Sequence, residues 1–157
     1  MMAAFVFELE AVLEQRRRVE REAQVAVASL EGERLAIEDR IRGCQHGIER
    51  ERRELAAHLS SAAEGQGVAL DAVRMQANAG LTLVGRAQQE VYKLAGLHKK
   101  IDEARLVLLE ATTRRRAIEL LREQRFEAWK REQDRREASA LDDLNVMRAG
   151  KAGGSAW

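Results

Sequence analysis

Two runs of three arginines, Arg16-Arg17-Arg18 and Arg114-Arg115-Arg116, are the residues best suited by type and spacing to do chemistry in this chain. Guanidinium groups stay charged and pair bidentately with carboxylates, so six of them at one level would form a collar for an acidic protein surface. The competing account is a solvated face neutralised by Glu14, Glu20, Glu110 and Glu119. The other reactive residue types are scattered. His46, His58 and His98 lie on different turns with no matching carboxylate or cysteine cluster, so no metal site is expected. Cys44, the single cysteine, reads as a small buried hydrophobe. Gly65-Gln66-Gly67 lacks the Lys-Ser/Thr of a phosphate loop and reads as a turn. No Ser-His-Asp or Cys-His arrangement is present. The residues thus point to no catalytic group, no cofactor and no metal, and to a protein that is not an enzyme.

The elements that must position the arginines are long. The chain has no proline, 4% aromatic and 34% charged residues, a composition that suits a coiled coil better than a compact core. One interior proline would cost about 3 kcal/mol, so two runs of roughly 60 and 80 residues can stay helical. Net charge is +1, without the basic footprint of a nucleic-acid binder. No apolar run approaches the ~20 residues of a membrane span, and Met1 to Phe7 is too short for a signal peptide. A cytoplasmic protein without direct membrane insertion is expected.

Steps of three and four from Phe5 give a seam of Leu9, Val12, Arg16, Val19, Ala23, Ala26, Leu30, Arg34, Ile37, Ile41, Cys44, Ile48, Leu55 and Leu59, with a stutter at Leu30 and Arg34. A second seam holds Leu70, Val73, Ala77, Gly80, Val84, Ala87, Val91 and Leu94. It resumes as Ile101, Ala104, Leu108, Ala111, Arg115, Ile118, Arg122, Phe126 and Trp129 after a phase slip near His98. The fold expected is all-α: an antiparallel two-helix coiled coil, or helical hairpin, over 1–149. Helix 1 would cover about 3–61, the turn about 62–68 and helix 2 about 69–148, and 150–157 would form a flexible tail. Facing residue numbers should sum to about 132. Ile41 then meets Val91, Ile48 meets Val84, Leu59 meets Val73 and Val12 meets Leu120. Phe5 and Phe7 come near Phe126 and Trp129, and the stutter falls opposite the slip.

The arms are unequal. Some ~18 residues of helix 2, ~27 Å at 1.5 Å each, continue past the start of helix 1 as a C-terminal overhang. Leu141, Leu144 and Met147 find no partner there, and an isolated helix of that length is marginal in water. The overhang should therefore dock on something. Helix-interior glycines Gly32, Gly43, Gly47, Gly80, Gly85 and Gly96, each costing about 1 kcal/mol, leave the turn-side part bendable.

The opening segment from Phe7 to Glu20 and the closing Arg135-Arg136-Glu137-Ala138-Ser139-Ala140-Leu141-Asp142-Asp143 resemble the two ends of the flagellar export protein FliJ family, as does the layout of hairpin and overhang. The resemblance implies a non-enzymatic stalk of the flagellar type III export apparatus, cytoplasmic and peripheral at the inner face of the membrane. Its partners would be a hexameric flagellar export ATPase, the export gate membrane protein and the export chaperones, with no nucleic acid. Carried over by position, the ATPase would be met by Leu9, Val12, Arg16, Arg17, Arg18, Arg114, Arg115, Arg116, Arg136, Leu141 and Leu144. The gate would be met by Met75, Ala79, Leu83 and Val84, a stretch without the aromatic residues common there in the family. The alternatives are the stalk of a non-flagellar type III system and a generic coiled-coil scaffold dimerising through Leu141, Leu144 and Met147.

Overall fold

The computed structural model describes residues 4–63, 65, 67 and 69–153. Two helices, α1 (Glu10–Ala63) and α2 (Leu70–Gly153), pack against each other as a hairpin, and no strand occurs among the described residues. α1 starts at Glu10 instead of near residue 3 because the aromatics before it leave the helical path. Phe7 is buried and its carbonyl accepts the Glu10 N–H at 3.1 Å. At the turn, Gly65 takes φ +90°, a backbone state that costs a side-chain-bearing residue about 1 kcal/mol. The Ala69 carbonyl then accepts the N–H of Ala72 at 3.0 Å and of Val73 at 3.1 Å to open α2. α2 runs past 148 to Gly153, since Lys151 and Ala152 are compatible with helix; the rest of the expected tail lies outside the described residues.

Packing divides the molecule into two units. One combines residues up to Glu20 with those from Glu110 onward, and the other is Arg21–Leu109. In the first, Phe5 packs edge-on to Phe126 with ring centroids 5.3 Å apart and lies 5.9 Å from Trp129. The Arg125 guanidinium sits 5.8 Å over the Phe7 ring, and Leu13 is wholly buried. In the second, Ile37, Leu97 and Ile101 form the core, with Leu30, Ile41 and Leu94 against it. Gly47 is buried beneath Leu83, whose Cδ1 would lie 2.9 Å from a Cβ placed on the glycine.

The cross-helix pairs follow the expected antiparallel register. Glu10 with Arg122 and Glu20 with Thr112 have numbers summing to about 132, and Arg40 with Glu90 and Gly47 with Leu83 to about 130.

The seams follow the sequence reading from Leu30 to Leu55 and from Ile101 to Ile118, and differ from it in phase before Leu30 in α1 and between Val73 and Leu97 in α2. In α1 the inward row runs Leu9, Leu13, Arg16, Glu20, Ala23, Val27, Leu30, Arg34, Ile37, Ile41, Cys44, Ile48, Glu51 and Leu55, with Val12 and Gly47 among the shielded positions beside it. In α2 the inward row runs Val73, Gln76, Gly80, Leu83, Ala87, Glu90, Leu94, Leu97, Ile101, Ala104, Leu108, Ala111, Arg115 and Ile118, with Thr112, Glu119 and Leu121 half-buried beside it. Both alternate three and four without interruption, so neither the stutter at Leu30 nor the slip at His98 exists. The expected seam residues Val19, Val84, Val91, Leu59 and Leu120 are exposed, as is Ala26. The physical reason is that Glu20 and Glu90 occupy the seam with partners, which removes the penalty that would otherwise keep a carboxylate out of it.

Candidate functional site

The candidate residues singled out in the sequence fall on two surfaces, one at the terminal end and one near the turn. At the terminal end, the six arginines do not form an open collar. Arg17 reaches Glu14 at 2.9 Å and Glu119 at 3.4 Å. Arg115 pairs with Glu119 and lies 2.5 Å from Glu20. Arg116 approaches Glu119 at 3.5 Å and Glu123 at 3.7 Å, while Arg114 pairs with Glu110. Among the described residues, only Arg16, half-buried, and Arg18, exposed, of the six have no carboxylate within 4.0 Å. Four of the six are thus neutralised internally, which leaves exposed Arg18 as the collar's unpaired outward charge.

Glu119 joins three of the arginines, and the most buried carboxylate of the cluster is Glu20, 9% exposed. It accepts a hydrogen bond from the Thr112 hydroxyl at 2.9 Å. That bond, together with Arg115, holds the carboxyl below the usual carboxylate range against the opposing effect of burial. Arg115 Nε is close to Glu20 but not aligned as a hydrogen bond. Glu20 and Thr112 were invisible to a search for apolar periodicity; an unbroken three-four alternation through Glu20 is the signal that finds them.

Beyond the Phe5–Trp129 contact, α2 continues with Arg136 paired to Glu132 at 3.0 Å. Leu141, Leu144, Val146 and Met147 are 61%, 53%, 71% and 67% exposed. Among the described residues nothing covers this apolar stretch. Leu9 and Val12, by contrast, are half-buried in the hairpin.

Near the turn, the four residues expected to meet a gate do not share one face. Met75, 73% exposed, and Ala79 point away on one flank, Leu83 packs on Gly47, and Val84 lines the other flank. On Val84's side is a groove of about 380 Å³, lined chiefly by apolar groups.

His46, His58 and His98 are exposed and Cys44 is half-buried. Among the described residues no three His, Cys, Asp or Glu side chains are grouped to hold a metal ion, and no helix is long and apolar enough to cross a membrane.

No curated protein and no solved structure matches the chain. The family model described as Flagellar FliJ protein matches residues 5–154, nearly the whole hairpin including its overhang, and by that match the chain belongs to the flagellar FliJ protein family.

Proposed function

We propose that this protein is a non-enzymatic stalk of the flagellar type III export apparatus whose terminal end docks in the ring of the export ATPase. Family membership associates the chain with flagellar protein export. The observation that carries the finer reading is the uncovered apolar stretch Leu141, Leu144, Val146 and Met147 on a helix that outlasts its partner. A lone helix presenting such residues gains by burying them in a partner. Arg18 stands free to meet carboxylates on the ring, and Arg136 extends the basic character along the overhang. An asymmetric stalk in a symmetric ring would bias the subunits' nucleotide states and promote ring assembly. The turn-side part, around Met75, Ala79, Leu83 and Val84, would meet the export gate membrane protein or an export chaperone, holding the complex at the inner face of the membrane.

The double variant Leu141→Asp/Leu144→Asp tests the terminal contact. Both residues are exposed, so the hairpin should keep its far-ultraviolet circular dichroism while stimulation of the cognate ATPase falls at least tenfold. Retained stimulation would show that the overhang is not the docking element. A stable dimer of the isolated chain in light scattering would favour the scaffold reading instead.

A further inference from the structure

Between residues 73 and 94, α2 carries two rows that could each complete the inner side of the hairpin. Val73, Gly80, Ala87 and Leu94, one heptad apart, belong to either choice. In the structure they are joined by Gln76, Leu83 and Glu90, which face α1. The row on their other side, Ala77, Val84 and Val91, is the more apolar of the two, yet Val84 and Val91 are 38% and 51% exposed. A helix turns about 100° per residue, so the two choices differ by a roll of about 50°. Past Leu94 the choice disappears. Leu97 and Ile101 are buried core, and the competing row continues as exposed His98 and as Arg105, tied to Glu31 at 2.5 Å.

What holds the observed row inward is largely polar. Glu90, 9% exposed, meets Arg40 at 2.9 Å and Lys93 at 2.6 Å, and Gln76 donates a hydrogen bond to Glu54. The apolar part of the latch is Leu83 lying over Gly47. A carboxylate stays at such a depth only while it is paired; without its cations it is driven toward water. Space for the alternative is already open. The groove of about 380 Å³ has Ala77, Gly80 and Val84 on one wall and Ile48 and Leu55 on the other, and the antiparallel register sets Val84 at the level of Ile48 and Ala77 at that of Leu55. Glu51 and Arg52, also on the wall, belong to α1, which does not turn. The shared row is a workable pivot. A Cβ on Gly80 would meet nothing nearer than Glu51 Cβ at 4.0 Å, and one on Gly96, where the two choices part, would meet nothing within 4 Å.

We propose that the turn-side part of α2 has a second packing, reached by a roll of about 50° on the row Val73, Gly80, Ala87 and Leu94. In it Ala77, Val84 and Val91 close the groove over Ile48 and Leu55, while Gln76, Leu83 and Glu90 turn out to water. The interface exchanges one leucine for two valines and an alanine and releases a carboxylate, so the two packings compete and the cations around Glu90 set the balance. The change of phase falls between Leu94 and Ala104, around Gly96, as a local change in winding. A charge that draws Arg40 and Lys93 away from Glu90 tips α2 into the second packing. This device is independent of the stalk reading and stands or falls without it.

The test uses the full chain with isotope-labelled Leu, Val and Ile methyl groups and a soluble paramagnetic relaxation agent. In the parent, the Val84 and Val91 methyls should relax roughly threefold faster than those of Leu83. In Arg40→Gln/Lys93→Gln the order should invert, with Leu83 the faster, while Ile101 stays protected as the mark of an intact fold. Adding Val84→Gln/Val91→Gln to that pair should return Leu83 to its parent protection. An independent route keeps both cations: Val84→Leu/Val91→Leu should raise the Leu83 rate roughly twofold over the parent. An unchanged pattern in either variant would overturn the proposal. So would exposure of Leu83, Val84 and Val91 together, which is separation of the helices, or protection of Val84 and Val91 that disappears on dilution, which is contact with a second copy.

Discussion

Glu20 shows how much a single side chain decides in a two-helix structure. Its neighbour Val19 is the better hydrophobe, yet Val19 is 39% exposed and Glu20 is 9% exposed. Thr112 and Arg115 satisfy the carboxylate, and its place keeps the three-four alternation intact, so the heptad is set by the whole run of inward positions and not by the best residue at each. Two measurements follow. Leu13→Ala should cost about 3 kcal/mol in urea unfolding, because Leu13 is wholly buried, whereas Val19→Ala should cost under about 0.5 kcal/mol. Comparable losses would restore the phase read from apolar spacing. The second concerns acid. Glu20, Glu31 and Glu90 all have carboxyls held below the reference value of 4.5, chiefly by hydrogen bonds from Thr112, Arg34 and Lys93 respectively. Each binds a proton less readily folded than unfolded, so its contribution is fully present above pH 4.5 and is lost as pH falls through the lower folded value. Thermal midpoints should decline on acidification below pH 4.5, and Glu20→Gln should make that decline shallower.

The helices and their pairing were legible in the sequence, and the phase only in part: it held from Leu30 to Leu55 and from Ile101 to Ile118 and failed at Val19, Ala26, Ala77, Val84 and Val91. Absence of proline, the Gly65–Gly67 break and the recurrence of apolar residues gave two helices, a turn and a register that the cross-helix pairs follow. Apolar recurrence could not distinguish the seam of α2 from the row beside it, because Ala77, Val84 and Val91 repeat with the same period as Gly80, Ala87 and Leu94. Only the contacts of Glu90 with Arg40 at 2.9 Å and Lys93 at 2.6 Å show why a carboxylate displaced Val91. The start of α1 was likewise beyond periodicity, since Phe5 and Phe7 fit a helical pattern but bury more by capping the terminal end. The glycines separate by role. Gly65→Ala should destabilise by about 1 kcal/mol because of its positive φ, while Gly43→Ala, with open space around it, should stabilise by up to about 1 kcal/mol in the same unfolding assay.

At the scale of the whole molecule, the proposed function rests on inequality between the helices. α1 has 54 residues and α2 has 84, and the difference leaves Leu141, Leu144, Val146 and Met147 uncovered. The arginine runs are mostly paired within the hairpin with Glu14, Glu20, Glu110 and Glu119, the four carboxylates the solvated-face account named, instead of forming an open collar; what spacing did not show is that Glu119 alone draws Arg17, Arg115 and Arg116 together. The terminal contact is thereby expected to depend on the overhang's apolar residues more than on bulk positive charge, and to be less sensitive to salt than an arginine collar would make it. The most direct test mixes the purified chain with its cognate export ATPase and follows hydrolysis and oligomer size together. A stalk raises the hydrolysis rate and shifts the ATPase toward hexamer; an ATPase whose rate and mass are both unchanged by the chain would contradict the account.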